Sequence, residues 1–285
     1  MLGGKRLLIT GLVNAGSIAF AVAERAQLAG AEIVLTSFDR DIERTRETAT
    51  LLPRRAEVLE LDATRPEHYD RLAADLRAGW GRLDGALHAV AFAPRDALAG
   101  DFTAARPEGL NVAFQTSAVS LSHLGRVVAD LAPEEGASIV ALDFDADGRA
   151  WPVYNWMGVA KAALQAVSKY LARDLGARGI RVNLVAAGPL QTRAAGGIPD
   201  FQRLIDAFET TAPLGWDPHD PAPVADAVCF LLSDWARAIT AEVVHVDGGF
   251  HAMAAPLPGR DAEAVIYHQG LGDERRGADE RSTEP

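Results

Sequence analysis

The sequence predicts an α/β protein: one doubly wound parallel sheet of seven strands, with helices on both faces and a small lid helix. Short aliphatic runs recur along the chain and alternate with longer segments of helical periodicity. The first run ends at Gly11 and opens directly onto a helix N-terminus, the arrangement that begins a dinucleotide-binding unit. Neither a repeat nor a linker interrupts the alternation before about Ala254. The expected organisation is therefore one domain over residues 1–254 and a separate tail over 255–285.

Residues 6–10 (RLLIT) read as a buried first strand. The turn from Gly11 to Phe20 leads into a helix that runs to about Ala29. Its first amides have no intrahelical partner, so they can bind an anion. Ser17 is expected as the N-cap and as a phosphate donor. The spacing departs from the usual G-x-G-x-x-G, because Ala15 and Ser17 stand where glycines are common. Residues 32–37 form the second strand, followed by Phe38, which is placed to stack on an adenine. No basic cluster stands directly after that strand, although Arg40 is near, so NADH is favoured over NADPH. The third strand covers 57–61 and delivers Asp62 and Ala63 to its carboxyl edge; a helix over about 66–78 follows. The fourth strand covers 83–90 and ends in small residues that let backbone approach a ligand. A helix rich in Ala, Ser and Val spans roughly 112–131, and the fifth strand 137–142. The sixth strand, 181–186, leads into a loop containing Gly188 and Pro189. A short amphipathic helix within 197–211 (Phe201, Leu204, Ile205, Phe208) is a candidate lid. A helix over 224–232 and a strand over 243–246 close the domain.

Between the fifth and sixth strands lies a helix over about 153–175 that carries Tyr154 and Lys161, seven residues and two turns apart. Two side chains so spaced share one helix face. An ammonium beside a phenol favours the phenolate, so the Tyr154 hydroxyl is expected to have a lowered pKa. It could then hydrogen-bond to, or protonate, a substrate oxygen that gains charge.

Composition sets the bounds. The 285 residues are 48% hydrophobic, enough for a substantial core. Cys229 is the one cysteine, which excludes an intramolecular disulfide framework and a cysteine-rich zinc site, and no metal site is expected. Its apolar setting predicts an inert thiol. A net charge of −11 argues against a nucleic-acid partner. No apolar run reaches membrane-spanning length and no signal peptide is evident, so a cytoplasmic protein without a membrane partner is expected. The tail, rich in Pro, Gly, Asp, Glu and Arg, is expected to be mostly disordered, with one apolar island at 264–267.

Taken together, the Gly11–Phe20 turn, Phe38, Leu61-Asp62, the segment from His88 to Pro94, Tyr154-x6-Lys161 and the segment from Ala186 to Thr192 resemble enoyl-acyl-carrier-protein (ACP) reductase. That family is a divergent branch of the short-chain dehydrogenase/reductase superfamily, with a Rossmann-type sheet. The similarity covers about residues 1–254. An ordinary superfamily member has an Asn-Ala-Gly motif after the fourth strand and a catalytic Ser thirteen residues before the Tyr; here the latter position is Ala141. A plain ketoreductase is disfavoured accordingly.

The resemblance implies NADH-dependent reduction of a trans-2-enoyl thioester, on ACP or CoA, in fatty acid biosynthesis. It implies dinucleotide contacts at Gly11, Ser17, Ile18, Phe38, Asp62, Ala63, Val90, Ala91, Leu142, Lys161, Gly188, Pro189, Leu190, Gln191, Thr192, Arg193 and Ala194. Tyr154 and Lys161 would be catalytic. Ala93, Phe144, Tyr154, Met157, Phe201 and Ile205 would meet the substrate under a lid at about 192–213, and the assembly would be a homotetramer. The short lid implies short or medium acyl chains. Pro199 and Gln202 replace basic residues that relatives place on the lid helix, which weakens the expected ACP contact and makes CoA plausible. Two other readings remain: a reductase of another activated alkene or carbonyl in specialised metabolism, kept open by Asn111-Val112, and a non-catalytic NAD(H)-binding sensor or scaffold.

Overall fold

Seven strands lie in one parallel sheet, in the order β3-β2-β1-β4-β5-β6-β7. The computed structural model describes residues 1–145 and 148–254. The strands are β1 (Arg6–Ile9), β2 (Glu32–Ser37), β3 (Glu57–Glu60), β4 (Gly85–His88), β5 (Ser138–Asp143), β6 (Arg181–Ala187) and β7 (Val243–Val246). Residues 1–251 form one compact unit, and the second unit begins at Ala252. The expected tail disorder and the 264–267 island lie outside the described residues.

Side chains alternate across the sheet, and the parity is consistent from strand to strand. Leu7, Ile9, Ile33, Leu35, Leu87, Val140 and Val185 belong to one core. That core is completed by α1 (Ile18–Leu28) and α9 (Ala222–Leu232). Leu8, Val34, Ala86, Ile139, Ala141, Val182 and Leu184 face the opposite core. There they meet α3 (Pro66–Gly79), α6 (Ser120–Leu131) and α7 (Asn155–Leu175). Cys229 is fully buried in the first core, and burial pushes its thiol up to about 12, as an inert group requires.

Four elements differ from expectation. A helix not anticipated from the sequence, α2 (Ile42–Ala49), follows β2. Its sequence, IERTRETA, is mostly charged or polar and lacks an apolar stripe, so periodicity did not reveal it. It has a positioning role: the Thr45 hydroxyl donates to the Leu12 carbonyl at 2.9 Å and anchors the turn after β1. A four-residue helix, α4 (Arg95–Leu98), follows the loop after β4. The helix expected from residue 112 instead begins as α5 (Pro107–Phe114), with proline in its first turn, and passes through a π turn (Gln115–Val119) before α6. The π turn lets Ser117 meet the β4 loop: its hydroxyl accepts from Phe92 N–H at 3.1 Å. β4 itself is shorter than expected. The lid helix, α8 (Phe201–Thr211), falls where its amphipathic pattern places it. Among the described residues, no helix is long and apolar enough to cross a membrane.

On β4, His88 pairs in register with Ala141 of β5, so both side chains point to the α6/α7 face. His88 is 2% exposed, and its Nε2 lies 2.7 Å from Ser120 Oγ. Ser120 spends its own proton on the Thr116 carbonyl, so His88 Nε2 must be the donor to Ser120. Burial, and then the Lys161 charge, push the imidazole down to about 3.

Two measurements check this account. The unfolded chain binds a proton at His88 below about pH 6.5, whereas the folded chain does not until about pH 3. Stability is therefore lost as pH falls through that window, by about 2 kcal/mol at pH 5 from this group. Urea midpoints at neutral and mildly acid pH should differ less in His88→Gln than in the wild type; equal pH slopes would contradict the assignment. At Gly85, an added Cβ would lie 2.6 Å from the Ser138 carbonyl oxygen and 3.1 Å from Leu7. Gly85→Ala should lower stability by about 1–3 kcal/mol, read as a reduced thermal midpoint.

Candidate active site

The chain leaves β1 for β2 and β3 on one side and returns to β4 on the other, so the loops after β1 and β4 diverge at a switch point. Thr10 staples the two strands across it. Its hydroxyl donates to the Leu87 carbonyl at 2.9 Å and accepts from Ala89 N–H at 3.0 Å. A cleft of about 950 Å³ opens there, at the carboxyl ends of the strands. Gly11 has a φ of +80°, and a Cβ on it would lie 2.0 Å from the Ala89 carbonyl oxygen, so only glycine fits. Ser17 is the N-cap of α1, accepting from Phe20 N–H at 3.1 Å and donating to the Asn14 carbonyl at 2.8 Å. Gly11, Ser17, Ile18, Val90, Ala91, Gly188, Pro189, Leu190, Thr192, Arg193 and Ala194 all line this cleft. The α1 N-terminus and the close backbone approach at Gly11 suit the pyrophosphate of a dinucleotide.

An adjoining hollow of about 640 Å³ shares Gly11, Arg40, Val90 and Ala91 with the cleft. Phe38, Asp62 and Ala63 line this second part, with Arg65 and His68. The Arg40 guanidinium lies 5.2 Å from the Phe38 ring centroid, so one face of the ring already has a cationic neighbour. Asp62 Oδ1 accepts from both the N–H and the hydroxyl of Thr64, at 2.9 and 2.7 Å, which fixes the carboxylate at the rim.

The cleft floor carries the titratable groups. Tyr154 is the residue just before α7, and Asn155 after it has a φ of +32°, a conformation asparagine tolerates better than most residues. Tyr154 is 8% exposed and Lys161 6% exposed. Lys161 Nζ donates to the Leu142 carbonyl at 2.7 Å. Asp143, at the end of β5, is 5% exposed, and its Oδ2 accepts from Gln165 Nε2 at 2.7 Å. Among the described residues, its Oδ1 has no hydrogen-bond partner. Burial raises the Asp143 carboxyl to about 6, against the opposing pull of the Lys161 charge. Burial also lowers Lys161, which Asp143 counteracts.

Tyr154 corrects the expectation of a lowered pKa. Its phenol is shifted upward, first by burial and then by the Asp143 charge. The ammonium does not dominate, because the tyrosine is desolvated and Asp143 places a negative charge nearby. The hydroxyl is thus held as a neutral donor.

Ala93, Phe144, Met157, Phe201 and Tyr154 line the remaining, more apolar part of the cleft, beside Leu142. Ile205 does not. It is buried away from the cleft, while Leu204 lines it: one residue is a rotation of about 100° on a helix, so adjacent positions face different ways. Gln191 does not line it either; its side chain is exposed, and its N–H bonds to the Pro218 carbonyl. Asn111 is exposed on α5 and lines neither part, while Val112 borders the second. Three contributors went unrecognised in the sequence. Asp143 carries a signal only as a carboxylate at a strand's carboxyl end, and Ile198 none at all. Trp216 holds the β6 loop by donating to the Pro189 carbonyl at 2.8 Å, and its indole fills the space where a Gly188 Cβ would stand. Among the described residues, no cluster of three or more His, Cys, Asp or Glu could hold a metal.

Comparison with known proteins agrees with this construction. The family model described as enoyl-(acyl carrier protein) reductase matches residues 11–251. An enoyl-acyl-carrier-protein reductase (NADH) of Mycolicibacterium smegmatis is 42% identical, across 87% of this chain and 97% of the relative. Relatives with the same enzyme name from Aquifex aeolicus and Escherichia coli (strain K12) are 38% and 36% identical. They cover 92% and 89% of this chain and 96% of their own length each. The matched region takes in the Gly11 turn, both parts of the cleft, the Tyr154–Lys161 floor and the lid, and the chain belongs to the enoyl-(acyl carrier protein) reductase family.

Proposed function

We propose that this protein uses NADH to reduce the carbon–carbon double bond of a trans-2-enoyl thioester in fatty acid biosynthesis. The observation that carries the reading is Tyr154, a buried neutral phenol at the cleft floor, 4.9 Å from the Phe144 ring by centroids. Lys161 lies on the same floor. Ala141 occupies the position of the serine that alcohol-handling relatives require, and it is fully buried on β5. The names of the relatives point to the same substrate class and cofactor.

When bound, NADH would supply the hydride that goes to C3 of the enoyl group, and C2 would take the matching proton from Tyr154 or from water. The α1 N-terminus and the Gly11 turn hold its pyrophosphate, while Phe38, Asp62 and Ala63 border its adenosine. Lys161 spends one N–H on Leu142, leaving two to donate to ribose hydroxyls. The Tyr154 hydroxyl donates to the thioester carbonyl oxygen as that oxygen gains enolate charge, an interaction worth about 3 kcal/mol when the donor is preorganised. A neutral phenol suits this role better than a phenolate, because a phenolate has no proton to give. Phe144, Met157, Phe201 and Leu204 form an apolar wall that excludes water from the reacting carbons. The thioester is carried by ACP or CoA. The protein acts in the cytoplasm as a homotetramer, without nucleic-acid or membrane partners.

Tyr154→Phe should lower kcat about 100-fold or more with crotonyl thioester while leaving the Kd for NADH nearly unchanged, read by NADH absorbance and fluorescence. Equal loss of both would show that Tyr154 serves the cofactor instead. Lys161→Ala should weaken NADH binding as well as turnover. Sedimentation should give a mass near four times that of the 30.3 kDa chain.

A further inference from the structure

Phe144 walls the apolar part of the cleft, and the space behind it is filled by aromatic rings. Trp151 lies against Phe144 with centroids 4.9 Å apart. Phe208 of α8 stacks on Trp151 at 5.9 Å. Phe250, after β7, stacks on Phe208 at 3.8 Å with planes 9° apart, and meets Trp151 at 5.7 Å. The Trp151 indole N–H is bound to the Asp145 carbonyl, which fixes the ring's orientation. Phe208 is 2% exposed. None of these three rings lines the cleft, whereas Phe144, Tyr154, Met157, Phe201 and Leu204 do.

The three rings come from separate segments: the approach to α7, the lid helix and the loop after β7. Each buries a large rigid surface against the others. An aliphatic wall can change rotamer to admit a longer ligand. A wall of packed aromatic rings with one ring tied by a hydrogen bond can do so only by separating the lid from the approach to α7. Phe144 has no room to swing back, because Trp151 occupies the space behind it.

We propose that Phe144, held in place by Trp151 with Phe208 and Phe250 behind it, is the closed end of the acyl crevice and restricts the substrate to short enoyl chains. The inference rests on the thioester reading above and names the part of the substrate that this wall selects. Trp151 acts through Phe144: it is a specificity-determining residue, not a catalytic one. Methylenes that find no room behind Phe144 cost the long substrate its fit, and a single methylene can be worth about tenfold or more in kcat/KM.

The test measures kcat/KM with NADH for CoA thioesters of trans-2-enoyl chains of four, eight, twelve and sixteen carbons. The proteins are the wild type, Trp151→Ala, Trp151→Phe and Phe250→Ala. The readout is the ratio of long-chain to short-chain kcat/KM, which does not depend on the fraction of active protein. The wild type should fall by about tenfold or more from eight to sixteen carbons. Trp151→Ala should raise that ratio by about tenfold, Trp151→Phe by less, and Phe250→Ala, which leaves Trp151 in place, by an intermediate amount. A wild-type optimum at sixteen carbons overturns the proposal, as does an unchanged ratio in the variants that fold. Failure of the wild type to oxidise NADH with any of the thioesters overturns the thioester reading and this proposal with it. Turnover that is indifferent to chain length overturns the closed end alone.

Discussion

The site depends on a charge that the fold keeps out of water. Lys161 lies almost wholly buried on α7, and an isolated ammonium there would be strongly disfavoured. Two features of β5 compensate it: the Leu142 carbonyl accepts one of its protons, and the Asp143 carboxyl supplies opposite charge. Both come from consecutive residues at the carboxyl end of one strand, so the position of that strand sets the position of the ammonium. Burial, and then the same carboxyl, keep the Tyr154 phenol protonated. Burial acts on all three groups, and Asp143 is the charge that links them, opposing the loss of the proton from Lys161 and from Tyr154 alike.

The sheet makes those three groups accessible to a ligand. The parity that sends His88, Ala141 and Asp143 to the α6/α7 face puts the polar groups of β4 and β5 beneath the Tyr154 helix. The switch point between β1 and β4 leaves a groove above them. The groove is held open by small local devices: Thr10 bridging the strands, Thr45 of α2 gripping the turn after β1, and Ser117 of the π turn gripping the loop after β4. Each is a hydroxyl bonded to backbone, and each fixes a loop that periodicity alone leaves undefined.

The other side of the groove is closed by hydrophobic contact. The lid helix turns Phe201 and Leu204 toward the cleft and Phe208 toward Trp151 and Phe250. One amphipathic helix thus contributes both to the lining and to the packing behind it, with the register of the helix separating the two roles.

The seven alternating strands of a doubly wound sheet, the Gly11 turn, the Ser17 cap and the pairing of Tyr154 with Lys161 were legible in the sequence, because each rests on local spacing. So did the lid helix, whose apolar residues recur at helical intervals. α2 was not legible, since it is anchored by Thr45 rather than by an apolar face. Ile205 and Leu204 were not separable either, because which of two neighbouring apolar residues faces a cleft depends on the rotation of the helix as packed. The sequence by itself determined which chemical groups this protein has and the local elements that carry them. Only the tertiary structure decided that Tyr154 stays protonated, because burial and the Asp143 charge act through space, between segments whose separation along the chain says nothing about their distance in the fold.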